Sequence, residues 1–279
     1  MERQKNYEEL TIKDHFMFGK ICSKPENRKL ILDSLLQIDF KEKSGDIEKH
    51  VQEYKNAKYA RLDLLAEDDT GTVYDAEMQN ESTDKSRQEE LPKRSRYYQA
   101  LIDTAYFNSG GDYLNLPETF IIFICTFDPF GKNLPIYSFN TKCNETDILI
   151  FNDHTHKIFF NTTADLSHLP HDMRNMLKYI QTGTASDIAT EFLDKEVKEA
   201  RLKEEWRAEY MLTLVHDIDM RREGYESRQE EVDVLNATIV DKDATIADKD
   251  ATIVEKDATI ASLQEQLDAL LKSKNNSLF

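Results

Sequence analysis

The chain is short of cysteine, glycine, proline and long apolar runs. Its three cysteines, Cys22, Cys125 and Cys143, form no CxxC pair and cannot all pair with one another. Neither a disulfide framework nor a thiolate zinc site is expected from them, and reduced structural thiols are the default. The longest unbroken apolar stretch, Phe120 to Cys125, falls far below the roughly 20 residues that a membrane helix needs, so no membrane partner is expected. The opening residues, MERQKNYEEL, are too charged for a secretory signal, which makes the cytoplasm the expected location. There is no GxxxxGK[ST] or GxGxxG to cradle a nucleotide phosphate and no GxSxG elbow of a serine hydrolase. Positive charge is also scarce: 36 Lys and Arg against 53 Asp and Glu give a net charge of -17. Nonspecific affinity for nucleic acid comes from basic side chains, so any such contact needs a local basic patch.

What remains is enough to fold. The 279 residues include 14 Phe and 12 Tyr, sufficient for a sizeable core. All six prolines lie at or before Pro170, and afterwards only Gly183 and Gly224 punctuate the chain, so a mixed globular front and a helical back are expected. We divide the chain accordingly into 1–170, a helical region 171–230 and a tail 231–279. From Ala237 the tail repeats every seven residues as ATIVDKD, ATIADKD, ATIVEKD and ATIASLQ, the period of a supercoiled helix. With Ile239, Ile246, Ile253 and Ile260 at position a, Lys242, Lys249 and Lys256 fall at d. Ala237, Val240, Ala244 and Ala247 keep the same spacing with small side chains. A dimer or trimer seam and a solvated, partly helical extension both fit this pattern.

In the front part, Asp14 to Ser23 and Arg28 to Leu36 cluster apolar positions as two short helices would. Tyr59 to Glu67 and Thr72 to Asn80 alternate as strands around the turn Asp68-Asp69-Thr70-Gly71. Tyr97, Tyr98, Leu101, Ile102 and Ala105 recur at helical spacing and stop at Gly110-Gly111. Thr119 to Phe127 is apolar on both faces, as a central strand is. Pro135 to Phe139, Asp147 to Phe151 and Lys157 to Phe160 read as further strands, and helices follow from Asp172.

The hairpin carries acids where a strand normally holds apolar residues. If its loop is the three residues Asp69-Thr70-Gly71, paired residue numbers sum to 140 and Asp63 sits opposite Glu77. Gln79 then lies further along the same face. A four-residue loop would put the acids on opposite faces. Like charges across a strand pair are destabilising. A bound magnesium ion explains such a pair, because it takes one or two carboxylates and leaves room for a substrate phosphate and an attacking water. Gln79 has the hydrogen-bonding groups to orient that water but no charge, so the metal or a nearby arginine must stabilise developing negative charge. Lys93, Arg94 and Arg96, running into Tyr97 and Tyr98, supply the basic and aromatic cluster that phosphate contact needs. Surface acids and a charged helix face account for the same residues without function. His154 and His156, and His168 with His171, lack zinc spacing and an evident carboxylate partner, and read as solvated loop residues.

The words LTIKDHFMFGKI, RLDLLAEDDTGTVYDAEMQ and LPKRSRYYQALID, followed by FIIFICTFDPFGK and KIFFNTT, make residues 10–163 resemble the recombination-promoting nuclease and transposase family of the PD-(D/E)XK nuclease superfamily. The resemblance implies an α/β core of αβββαβ type, with a central mixed sheet flanked by helices, and metal-assisted hydrolysis of DNA. It implies that Asp63 and Glu77 hold a divalent cation such as Mg2+, and that Gln79 stands where many relatives have lysine. Asp14 would add a carboxylate near the metal and Arg61 would brace the site. Arg94 and Tyr98 match the polar-x-x-x-Tyr pattern that borders such sites. The expected function is a metal-dependent DNA endonuclease, with Lys93, Arg94 and Arg96 on the phosphates and a homodimer or other homo-oligomer through the tail. The alternative is a noncatalytic DNA-binding or assembly protein on a retained nuclease fold.

Overall fold

A computed structural model of the chain describes residues 5–43, 62–80, 85–107, 111–146 and 148–276. Arg61, the start of the strand expected from Tyr59, Gly110 and Asp147 lie outside the described residues. Two compact units divide the chain, Met1–Met211 and Leu212–Phe279.

The first unit begins with two helices, α1 (His15–Ile21) and α2 (Pro25–Leu36). Pro25 opens α2, where its missing N–H costs nothing and its fixed φ suits the first turn. The strands β1 (Leu64–Glu67) and β2 (Val73–Gln79) form an antiparallel hairpin, followed by the long helix α3 (Lys85–Tyr106). Strand β3 (Thr119–Cys125) comes next, then β4 (Ile136–Phe139) and β5 (Thr155–Asn161). Helices α4 (His171–Thr182) and α5 (Ile188–Ala200) follow, and α6 (Glu204–Asn276) runs on into the second unit. Among the described residues, two strands precede α3 and three follow it. No described helix is long and apolar enough to cross a membrane.

The five strands form one mixed sheet in the order β1-β2-β3-β5-β4, with β2/β3 and β3/β5 parallel and the two outer pairs antiparallel. Strand β3 is central, and Ile121, Ile122, Phe123, Ile124 and Cys125 are fully buried, as expected for a strand apolar on both faces. Because side chains alternate, Leu65, Val73, Ile121, Phe123 and Phe159 share one face. Leu91, Tyr98 and Ile102 of α3 pack onto it. Helix α1 packs against β2 and α5, and α2 against α4.

One expected strand does not form. Ile148 to Phe151 is exposed and makes a single bridge, between Ile150 and Lys142. The run has strand-like composition but no ladder partner along its length, and composition alone does not hold an extended segment in a sheet.

In the second unit the remainder of α6 carries Ile239, Ile246, Ile253 and Ile260 at 52–55% exposure. A single copy of the chain therefore leaves this apolar row open to solvent.

Candidate active site

The hairpin register decides which acids meet. Leu64 pairs with Ala76 and Glu67 with Val73, so partner numbers sum to 140 as the three-residue loop requires. Asp68 and Thr72 close the loop through a backbone bond of 3.0 Å, and Gly71 takes φ +89°, a conformation that costs a residue bearing a Cβ. The Asp68 carboxylate ties the turn together by accepting from the Thr70 and Thr72 amides.

Extending that register one step past β1 brings Asp63 beside Glu77. The Asp63 amide donates to Glu77 Oε1 at 3.0 Å, and the Met78 amide donates to Asp63 Oδ2 at 3.0 Å. Both carboxylates are almost fully buried, with side-chain exposures of 2% for Asp63 and 1% for Glu77. Burial first, and the Asp63 charge second, push the Glu77 carboxyl from 4.5 up to about 8.

Two further groups belong to this site and were not expected from the sequence. His15, on α1, places Nδ1 2.7 Å from Asp63 Oδ1 while remaining 59% exposed, so it is the solvent-side partner of a buried carboxylate. Asp75, two residues before Glu77 and on the same face, is completely buried, and neither of its oxygens has a hydrogen-bond partner. Burial and then the charges of Glu77 and Asp63 raise its pKa strongly. Glu67 offers a contrast on the same face: its carboxylate accepts from Lys43 and from the Tyr106 hydroxyl at 2.8 Å. Glu67 is hydrogen-bonded by its own chain, whereas Asp75 has only the more distant charge of Arg94.

Helix α3 supplies the positive charge. Arg94 Nη1 donates to Gln79 Oε1 at 2.7 Å, Nη2 donates to the Tyr98 hydroxyl at 2.8 Å, and Nη2 lies 3.8 Å from Glu77 Oε2. The guanidinium also sits 5.5 Å from the Tyr98 ring and 5.8 Å from the Phe123 ring, and those two rings are stacked. A guanidinium only donates, so the Gln79 carboxamide must turn its oxygen toward Arg94, which leaves its NH2 as the remaining donor. Burial and the nearby Glu77 charge raise the Tyr98 hydroxyl to about 12.

The helical period splits the basic cluster that was adjacent in sequence. Arg94 and Tyr98, four apart, turn toward the carboxylates, whereas Lys93, Arg96 and Tyr97 are exposed on the outer side of α3. Asp14 does not join the buried pair. Its carboxylate accepts from the Thr11 amide at 2.7 Å and from Lys5 at 2.6 Å, with Asn80 Nδ2 at 3.5 Å. Arg61 lies outside the described residues.

Two of the histidines read as partnerless, His156 and His171, do have acidic neighbours. His156 Nε2 lies 2.7 Å from Glu118 Oε1, and its ring stacks on Phe120. His171, Asp172 and Asp187 bring one ligand atom each within 4.8 Å of one another. Sequence distance hid these contacts: Asp187 is 16 residues beyond His171 and reaches it through Asn175, which donates to Asp187 at 2.9 Å. Asp187 already caps α5 by accepting from the Thr190 amide and hydroxyl. His171 and Asp172 are 64% and 70% exposed, the ordinary setting of a surface pair.

The donor set of the buried site suits a hard divalent cation. It consists of carboxylate oxygens without a full complement of cationic partners, two of them orphaned on Asp75.

A model of the PD-(D/E)XK nuclease family transposases matches residues 12–233. No curated protein and no solved structure matches the chain. The family model spans the hairpin, α3 and the whole sheet, and the chain therefore belongs to the PD-(D/E)XK nuclease family transposases.

Proposed function

We propose that the chain is a divalent-cation-dependent endonuclease that hydrolyses phosphodiester bonds in DNA. The observation that carries this reading is the Asp63–Glu77 juxtaposition: two buried carboxylates from paired positions of the hairpin, with the Asp63 backbone amide donating to Glu77 Oε1 at 3.0 Å. Asp63 and Glu77 would hold the cation, Mg2+ or a relative of it, and when bound it supplies Lewis acidity to the phosphodiester. The chain's own residues do the rest. Arg94 brings a fixed positive charge beside Glu77, where a neutral Gln79 by itself would leave none, and so stabilises negative charge developing on the phosphate. Gln79, gripped through its oxygen by Arg94, keeps its NH2 to orient the attacking water or a phosphate oxygen. Tyr98 locks the guanidinium in place. Lys93 and Arg96, outward on α3, contact phosphates further along the strand. Asp14, held by Thr11 and Lys5, precedes His15 at the start of α1, and His15 in turn meets Asp63.

Purified protein with Mg2+ is expected to nick supercoiled plasmid, and Asp63→Ala or Glu77→Ala to lose at least about 100-fold of that rate. Wild-type rate in either variant would remove the pair from the mechanism. Retained DNA binding with no cleavage under any divalent cation would instead support the noncatalytic reading on the same fold.

A further inference from the structure

We propose that the tail of α6 pairs with the same segment of a second copy of this chain, as a parallel, in-register, two-stranded coiled coil. The apolar row extends beyond the four repeats. Val232, Ile239, Ile246, Ile253, Ile260 and Leu267 follow one another at intervals of seven, each 41–57% exposed in the single chain. The row of Ala and Val on the opposite side is confined to the repeats. The positions that continue it are Glu226, Glu230 and Asp233 before, and Glu265 and Asp268 after. The Ile row is therefore the seam. It gains Leu235, Leu263 and Leu270 three residues on from Val232, Ile260 and Leu267, which places β-branched residues mostly at a and Leu at d at both ends, the combination that favours two parallel strands.

The middle three d positions are Lys242, Lys249 and Lys256, each followed at e by an aspartate, Asp243, Asp250 or Asp257. Within one helix, charges pair at three or four residues' separation. The neighbours of Lys249 at those distances are Thr245, Ile246, Thr252 and Ile253, and those of Asp250 are Ile246, Ala247, Ile253 and Val254. The same holds one repeat to either side, so these lysines and aspartates have no opposite charge to meet in their own helix. In a parallel, in-register pair, a d side chain packs beside e of the other strand, and each lysine meets the partner's aspartate. An antiparallel pair would instead set e against e, aspartate facing aspartate. The g positions agree: Thr238, Thr245, Thr252 and Thr259 donate their hydroxyls to carbonyls one turn back in their own helix, at 2.9–3.0 Å, so a partner can cover them without leaving those hydroxyls unpaired. Long lysine stems cover apolar surface while their ammonium groups reach the flank, a geometry unavailable to aspartate in the alternative register.

Sedimentation equilibrium of the full chain tests the pairing. It is expected to give twice the 32.5 kDa chain mass, with the single chain mass in Ile246→Asp/Ile253→Asp. Lys249→Glu is expected to weaken dimerisation at least tenfold, and Lys249→Glu/Asp250→Lys to restore it, with circular dichroism confirming retained helix throughout. For orientation, Val232→Cys is expected to form a disulfide-linked dimer under mild oxidation faster than the parent. A monomer at tens of micromolar, a trimer or tetramer, or a charge swap without rescue would overturn the pairing; no acceleration by Val232→Cys would overturn the parallel orientation. None of these readings depends on nuclease activity.

Discussion

Glu77 carries its proton at a pH where an ordinary carboxylate has lost it. The folded value is about 8, while the unfolded chain ionises near the usual 4.5. Between those values the folded state binds a proton that the unfolded state does not, so this group lowers stability as pH rises through the window and adds no further slope above it. Metal-free wild type is therefore expected to lose melting temperature more steeply than Glu77→Gln between about pH 5 and 8. Parallel curves for the two proteins would place the proton elsewhere. Arg94 gives a second test at this scale. Arg94→Ala is expected to slow plasmid cleavage by on the order of 100-fold, with melting little changed, and Arg94→Lys to recover part of it, since an ammonium supplies charge but cannot grip Gln79 and Tyr98 together. Asp63, Glu77, Gln79, Arg94 and Tyr98 were legible because each sits in a short word with a fixed period. Asp75 was equally legible in principle, since VYDAEMQ alternates and puts it on the face of Glu77. His15 was not, because nothing in sequence links α1 to a carboxylate 48 residues away.

The hairpin is the element on which the site depends. A loop of three residues aligns Asp63 with Glu77, and a loop of four would part them, so the turn glycine governs the alignment of the two acids as well as stability. Gly71→Ala is expected to destabilise the protein by about 1–2 kcal/mol in denaturant unfolding, the cost of a Cβ in the left-handed region, and a stability unchanged within error would contradict the turn described. The turn could be read from the sequence because Asp68, Thr70 and Gly71 each have a specific task in it. The course of Ile148 to Phe151 could not, since strand-like composition says nothing about whether a ladder partner exists. Helix α3 illustrates a third case. Its residues announce a basic and aromatic cluster, but only the helical period separates Arg94 and Tyr98, which face the acids, from Lys93, Arg96 and Tyr97, which face outward.

At the scale of the whole chain, a net charge of -17 repels nucleic acid, so the proposed function requires attraction from a few contacts on α3. Each phosphate neutralised on duplex DNA contributes roughly -0.9 to the slope of log affinity against log salt, and Lys93, Arg94 and Arg96 together give about -2.7. Fluorescence anisotropy over a salt series is expected to return a slope of that size and to lose about one unit in Lys93→Ala, whatever the DNA sequence. A slope unchanged in that variant would move the DNA to another surface. That strands give way to helices after Pro170 followed from where proline and glycine stop, although α4 and α5 pack on α2 and α1 within the first unit. The pairing of β3 with β5 across the intervening β4 did not follow, because parallel neighbours are chosen by packing over long sequence distances. The most direct measurement is calorimetric titration of the metal-free protein with Mn2+. One site of hard-cation affinity is expected in wild type and none in Asp63→Ala or Glu77→Ala. Equal binding by all three proteins would contradict the assignment of the buried pair as the metal-holding group.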